Sequence, residues 1–350
     1  MLRHLPSRVA LHPRSTGRQP CFCLFASSPY SASTGADLTS SGAPEPPVHV
    51  PVLLHETVSA FSGVAHPRLF VDGTAGFGGH SRALLQRFPD AQLLCVDRDP
   101  EVLAIARANL HDFHGHVTFQ TGSFADLTTH LTASGLSNEV DGILVDLGAN
   151  SFHFDAARRG FSVLHDGPLD MRFDQRDASR PTAADAVNTL SEVQLAKIFR
   201  DFGEERLAKE FAKAIVRQRE ERGQQFSTTR DLRECIERIA NMWRSSPPKG
   251  QKALKKRGKI GNTHPATRCF QALRIYVNDE LEHVEVRFFL QEDEEESDDD
   301  WEDEDEDDRA ESTKKRFRLV RRKATKATAE EIATNSRARS ARLRCLERVR

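Results

Sequence analysis

From about Arg68 onward, short apolar runs alternate with longer stretches whose apolar residues recur at helical spacing. Leu69–Val71 reads as a strand ending at Asp72 in a glycine-rich turn, and a helix follows from Ser81. Ala91–Val96 reads as a second strand, closed by Asp97. Pro100 then opens a helix carrying Val102, Leu103, Ile105 and Ala106, with Asp99 placed to cap it. Val117–Phe119 is a third strand and Asp141–Asp146 a fourth. The interior of the fourth is apolar, as a strand covered on both faces must be, so the pattern predicts a parallel sheet between layers of helices.

After Asp146 the rhythm changes. Ala183–Phe202, Glu204–Arg222 and Thr229–Trp243 each read as one amphipathic helix with no strand between them, which predicts an inserted all-helical region. Ser246–Gly261 is a loop rich in proline, glycine and lysine, with Lys249, Lys252, Lys255, Lys256, Arg257 and Lys259. That cluster suits an RNA backbone and equally suits plain solvation. Helical periodicity returns over His264–Glu282.

Charge changes this picture at both ends of the chain. The net charge of −2 hides an acidic run: Glu292–Asp308 holds 15 acids, and without them the remainder stands at +13. A basic body with a separable acidic segment suits a polyanionic partner such as nucleic acid; ordinary surface charge is the plainer reading. The first 36 residues contain no Asp or Glu but carry Arg3, Arg8, Arg14 and Arg18 among many serines. This composition marks an organelle leader to be left out of the fold, an unstructured terminus being the other reading. No run approaches the roughly 20 apolar residues that span a bilayer, so a membrane role has no support.

The six cysteines, Cys21, Cys23, Cys95, Cys235, Cys269 and Cys345, form no CxxC pair. They read as free thiols in a reducing compartment, and no metal site is expected. His111, His114 and His116 lack a ligand framework and read as a surface turn.

The glycine-rich turn Asp72–His80 (DGTAGFGGH) carries the most chemistry. Glycines between a strand and a helix let the backbone approach a nucleotide-like ligand. The spacing is not that of a dinucleotide fingerprint, and no Lys-Ser/Thr pair is present to grip phosphate. Asp72 suits a cationic ligand better than a pyrophosphate, and S-adenosylmethionine has a sulfonium, an amino group and no phosphate. Asp97 closes the second strand where an acid accepts hydrogen bonds from ribose hydroxyls in doubly wound folds. Phe124 can lie on an adenine face, although a lone aromatic is more often core. Asp146 ends the fourth strand in the crevice where such folds place reacting groups.

These residues stand within longer motifs: HVPVLLHE at 49–56, DGTAGFGGH at 72–80, VDRDP at 96–100, DGILVDLG at 141–148, RGFS at 159–162, DGPLDMR at 166–172, GEER at 203–206, HPATR at 264–268 and FQALRIYVNDEL at 270–281. Together they resemble the small-subunit (16S-type) rRNA cytosine-N4 methyltransferases of bacteria and organelles. The resemblance spans about 48–285 and resumes near Arg316, with NSRARSARLR at 335–344 similar to that family's C-terminal signature. It implies an α/β, Rossmann-like class I methyltransferase fold with a parallel-rich sheet and an inserted all-helical region. It implies S-adenosylmethionine as cofactor, small-subunit rRNA as partner, and transfer to a cytosine amino group, with Asp146 the catalytic candidate. It further implies that Gly78, Gly79 and His80 line the cofactor, Asp97 holds its ribose, and Phe124, Asp146 and His153 complete the pocket. Many relatives carry Gln where His153 stands. Asp166, Asp170 and Arg172 are candidates for supporting or RNA-facing groups, or for a tight structural loop.

The expected layout follows. Residues 1–47 are transit peptide and linker, 48–149 the cofactor domain, and 150–263 the helical substrate-recognition region. Residues 264–290 return to the methyltransferase domain, 291–313 are an acidic insertion, and 314–350 a basic tail. The chain departs from the family after Glu285, where relatives carry a Pro-Gly-Gly turn, a core strand and a Ser-Phe-His-Ser segment. One core strand is therefore expected to be missing, with the fourth strand's edge exposed. Either Val286–Leu290 or Arg316–Val320 takes its place, or the sheet stays incomplete. The leading expectation is an organellar enzyme, mitochondrial rather than plastid. The alternative is a catalytically impaired protein that binds rRNA or an assembling ribosomal subunit.

Overall fold

The computed structural model describes residues 21–26, 51–136, 139–245, 264–280, 317–321, 323–335, 338–339 and 341–348. They fall into two compact units, one holding the described residues up to Gly148 together with those from 317 onward, the other those from Ala149 to 280.

The first unit is built on one sheet. Its strands are β1 (Cys21–Ala26), β2 (Leu69–Asp72), β3 (Gln92–Asp97), β4 (Val117–Thr121), β5 (Gly142–Leu147), β6 (Phe317–Leu319), β7 (Thr325–Lys326) and β8 (Arg342–Arg348), in the order β4-β3-β2-β5-β1-β8-β6 with β7 also on β8. Strands β4, β3, β2, β5 and β1 run parallel. Alternate residues face opposite layers, as a strand's period of two requires. Phe70, Leu93, Cys95 and Leu144 pack with Leu53, Phe61, Leu84 and Leu103, that is, with helices α1 (Leu54–Ala60), α2 (Gly79–Arg87) and α3 (Pro100–Asn109) and the segment before α1. Val71, Leu94, Val96, Ile143 and Val145 pack with Leu127 and Leu131 of α4 (Leu127–Ala133). The four apolar runs are thus strands buried on both faces, except β4, which among the described residues pairs only with β3 and is half-buried along most of its length. Asp99 caps α3, accepting from the Glu101 and Val102 amides.

The expectation of a missing strand is corrected. Beside β5, where it was expected to be absent, lies β1, paired in parallel from Cys21 opposite Gly142 to Ala26 opposite Leu147. Its other edge pairs antiparallel with β8, Cys21 opposite Glu347 and Ala26 opposite Arg342. The fourth strand's edge is therefore covered, and the exclusion of residues 1–47 from the fold does not hold for 21–26. The physical reason is that a six-residue apolar run, CFCLFA, can complete a ladder wherever it lies in the chain; its leader-like surroundings disguised it. Of the two substitutes considered, Arg316–Val320 contributes β6, which pairs with β8 at the far side, not with β5. Val286–Leu290, the acidic run, the lysine-rich loop and the arginines of the first 20 residues lie outside the described residues.

The second unit is helical: α5 (Ser151–Asp155), α6 (Ala183–Thr189), α7 (Glu192–Asp201), α8 (Ala208–Glu221), α9 (Thr229–Ser245) and α10 (Thr267–Val277). Its core gathers Leu195, Phe199, Phe211, Ile215, Leu232, Ile236, Phe270 and Leu273. Two expectations change here. Ala183–Phe202 is two helices, because Ser191 and Gln194 form a capping box that starts α7 after Leu190. Residues 264–290 were expected to rejoin the methyltransferase domain, yet α10 buries Cys269, Phe270, Leu273 and Val277 in the helical core. Its apolar stripe fits α6 and α7, and periodicity alone names no partner. In the first unit, helix α11 (Ala329–Thr334) sends the Glu331 carboxylate to the Leu53 amide at 2.6 Å, fastening the C-terminal segment to the start of α1.

Candidate functional site

The order β3-β2-β5 places the glycine loop at the point where the chain changes direction across the sheet, the crevice in which open parallel sheets bind ligands. Hydrogen bonds stretch the loop across three strand ends. Gly73 donates to the Leu144 carbonyl and Ala75 to the Val96 carbonyl, each at 2.8 Å. The Thr74 hydroxyl accepts the Asp146 amide at 2.6 Å, and Gly76 donates to Asp97 Oδ2 at 2.9 Å. Close approach explains the glycines: a Cβ at Gly73 would lie 2.9 Å from Phe124 Cβ, and one at Gly79 2.3 Å from Pro51 Cγ. Gly78, at φ 81°, starts α2 in a left-handed conformation that side chains avoid. The His80 ring is buried with Nε2 against the Val52 carbonyl at 3.0 Å, so it pins the HVPVLLHE segment to the loop.

Three carboxyls close the strand ends. Asp72, only 1% exposed, accepts from the Ser81 hydroxyl at 2.6 Å and the Thr74 amide at 3.2 Å, bracing the loop from inside. Asp97 accepts one backbone amide on each oxygen, Asp99 on Oδ1 and Gly76 on Oδ2, both at 2.9 Å. Each oxygen keeps a further lone pair for a ligand. Burial pushes all three above the usual aspartate range, Asp72 and Asp97 to about 6 and Asp146 to about 7. Hydrogen bonds from Ser81 and Thr74 oppose the rise at Asp72, those from Asp99 and Gly76 oppose it at Asp97, and the Asp72 charge adds to it at Asp146. Such a set accepts hydrogen bonds and favours positive charge, which fits a ligand with ribose hydroxyls, an amino group and a sulfonium.

The first unit therefore brings together Gly78, Gly79, His80, Asp97, Phe124 and Asp146. His153 belongs to the second unit, on α5. It is 3% exposed and stacks on Phe161 at 4.9 Å, with Phe173 at 5.0 Å. Its Nδ1 accepts the Asn150 amide at 3.1 Å, which leaves the proton on Nε2. The side chains of Asp170 and Arg172 engage each other through two hydrogen bonds of 2.8 and 2.9 Å, and Asp166 pairs with Arg230 at 2.9 Å. Their carboxylates are thus turned to loop structure, with Arg172 also donating to the Asp177 carbonyl. Thr74 and Ser81, which organise Asp146 and Asp72, escaped the sequence reading. Their only signal was a hydroxyl two and nine residues after the first acid. Among the described residues no cluster of metal-ligating side chains occurs and no helix is long and apolar enough to cross a membrane.

Residues 47–293 match the MraW methylase family. A protein of Gloeothece citriformis named ribosomal RNA small subunit methyltransferase H is 41% identical over 239 residues, 68% of this chain and 71% of that protein. Proteins of the same name from a Nostoc species and from Rhodospirillum rubrum are each 38% identical, over 309 and 331 residues. Each of these two alignments takes in 86% of this chain, and they cover 92% and 94% of the respective relatives.

Proposed function

This chain belongs to the MraW methylase family, and from that premise we propose that it methylates the N4 amino group of a cytosine in the small-subunit rRNA of an organelle. It is an S-adenosylmethionine-dependent rRNA methyltransferase acting on the small subunit. The observation that carries the residue assignments is the cluster of strand-end carboxyls Asp72, Asp97 and Asp146 around a glycine loop at the sheet's change of direction. The pairing of β1 with β5 gives the sheet a covered edge, which supports the catalytic reading over a non-catalytic rRNA-binding one.

S-adenosylmethionine held by Asp97 and the glycine loop would supply an electrophilic methyl, its sulfonium leaving as a neutral thioether. The protein holds and aligns the partners. Asp97 accepts the ribose hydroxyls, and the loop backbone lets the nucleoside approach. The cytosine amine is a weak nucleophile because its lone pair is delocalised into the ring. Asp146 accepts an N4 hydrogen, which favours a more tetrahedral nitrogen, and receives the proton released on methylation. A carboxyl held near 7 is matched to that exchange at neutral pH.

Two outcomes test this reading. With labelled S-adenosylmethionine and small-subunit rRNA, nucleoside analysis should find N4-methylcytidine. Asp146→Asn should lower single-turnover transfer about 10²-fold. Label in another nucleoside would overturn the target, and an unimpaired Asn variant the role of Asp146. The second outcome concerns pH. The folded carboxyls keep protons to about pH 6–7, whereas the unfolded chain releases them near 3.8. Their stabilising effect on the cofactor-free protein is therefore complete below about 4 and lost as pH rises through 6–7. A cationic cofactor favours the ionised forms, so binding should release protons and tighten as pH rises through that window. Calorimetry in buffers of different ionisation heat reads both; pH-independent affinity without proton release would show that these groups do not face the cofactor's charge.

The mitochondrial compartment is part of the proposal. Its support is the acid-free, arginine-bearing composition of the first 36 residues. On this reading, an address whose removal leaves β1 beside β5 ends before Cys21. Imaging of a C-terminally tagged chain should show mitochondria, and a plastid signal would change the compartment.

A further inference from the structure

The carboxyl edge of the first unit carries cations as well as acids. Ladder registers set Leu147, the last residue of β5, opposite Ala26, Ala26 opposite Arg342, and Arg342 opposite Lys326. These four form one row across β5, β1, β8 and β7, one residue beyond the row of Asp146, Phe25 and Leu343. At a strand spacing of about 4.8 Å, β8 lies about 10 Å and β7 about 14 Å from β5. Arg342 and Lys326 therefore stand on the same sheet edge as the glycine loop, Asp97 and Asp146, displaced sideways from them.

The pair is unusual in its own terms. Like charges directly opposite on antiparallel neighbours repel. Lys326 is exposed and Arg342 half-buried. Arg342 donates to the Ala341 carbonyl at 2.8 Å, and among the described residues neither cation has a carboxylate partner. Glu331, five residues after Lys326, is turned to the Leu53 amide. An anion with several acceptor oxygens would relieve the repulsion by bonding to both cations, and phosphate is such an anion. Free phosphate would explain the charge. A nucleic-acid strand explains the position too, because one running along this edge would carry its backbone past β8 and β7 while a base enters at β5.

We propose that Arg342 and Lys326 hold a phosphodiester of the RNA strand close to the nucleotide whose base is methylated. This rests on the rRNA-methylating reading above. The contact fixes the strand's register without reading sequence, as backbone contacts do. Both are positioning residues, since neither is placed to touch the reacting atoms.

The test compares the full chain with Lys326→Gln, Arg342→Gln and the double variant, using small-subunit rRNA transcript, labelled S-adenosylmethionine and a salt series. The double variant should raise KM for RNA about tenfold, with the loss falling on KM rather than kcat. The slope of log affinity against log salt should become shallower by roughly 0.7–0.9, the change that one lost phosphate contact predicts. Lys326→Arg and Arg342→Lys should restore most of the affinity. Inorganic phosphate should compete with RNA only at concentrations far above that of the transcript. Lys326→Gln, at an exposed position, keeps the test valid if the Arg342 variants fold poorly. An unchanged salt slope in a double variant that still methylates RNA would overturn this inference alone, as would loss without rescue by the charge-retaining variants. Wild-type protein that transfers no methyl to any rRNA would overturn the functional reading, and this inference with it.

Discussion

A chain deleted for residues 1–30 is expected to lose cooperative folding of its sheet unit. Strand β1 sits between β5 and β8, with six residue pairs in register on each side. Removing it opens two long ladder edges at once and leaves β6, β7 and β8 with no strand among the described residues joining them to β5. Backbone groups paired on both sides would have to find water or each other, and the loss should reach the whole stability of a typical domain, about 5–15 kcal/mol. A deletion of residues 1–18 leaves the strand in place and serves as the control. Leu24→Pro tests the same point without shortening the chain, because proline removes a ladder donor in the middle of a central strand. Thermal unfolding and cofactor binding read the outcome. A 1–30 deletion that unfolds cooperatively near the full-length temperature and binds S-adenosylmethionine unchanged would show that this strand is dispensable.

The second large effect is at Asp97. Its two oxygens hold the Gly76 and Asp99 amides and, in the proposed complex, two ribose hydroxyls. Hydrogen bonds to a charged group are worth about 1.5–3 kcal/mol each, so loss of the two ligand contacts alone should weaken cofactor affinity about 10²- to 10⁴-fold in Asp97→Ala. Asp97→Asn keeps the shape and one acceptor oxygen, and should fall between wild type and Ala. Because Asp97 also fastens the loop, Ser81→Ala is an informative companion. It removes a brace on Asp72 while leaving the ribose acceptors intact, and should cost far less affinity. Calorimetry separates these cases. Wild-type affinity in a folded Asp97→Ala protein would remove the ribose assignment.

Much of the sheet unit was legible because the relevant information is local. Leu69–Asp72, Gln92–Asp97 and Gly142–Leu147 are wholly or largely apolar runs ended by an acid or a glycine turn, and each is a parallel strand near the place its pattern predicts. Asp99 and Pro100 announce the start of α3 and form it. The glycine loop was legible for the same reason, since close backbone approach leaves glycine little substitute at positions 73 and 79. Thr74 and Ser81 were not, because a hydroxyl in a turn looks the same whether it braces a carboxylate or faces water. Asp170 and Arg172 were open to several readings until their mutual hydrogen bonds were seen.

The sequence by itself determined that this chain holds strand-ending carboxylates around a glycine loop and the motifs of an rRNA methyltransferase family, because these follow from residue types at short spacing. The tertiary structure alone decided which segment lies beside β5, that α10 belongs to the helical core, and that Arg342 and Lys326 face each other at the carboxyl edge. Each of those depends on a pairing between distant parts of the chain. An apolar run or stripe states that it must be covered, and only the packed fold states by what.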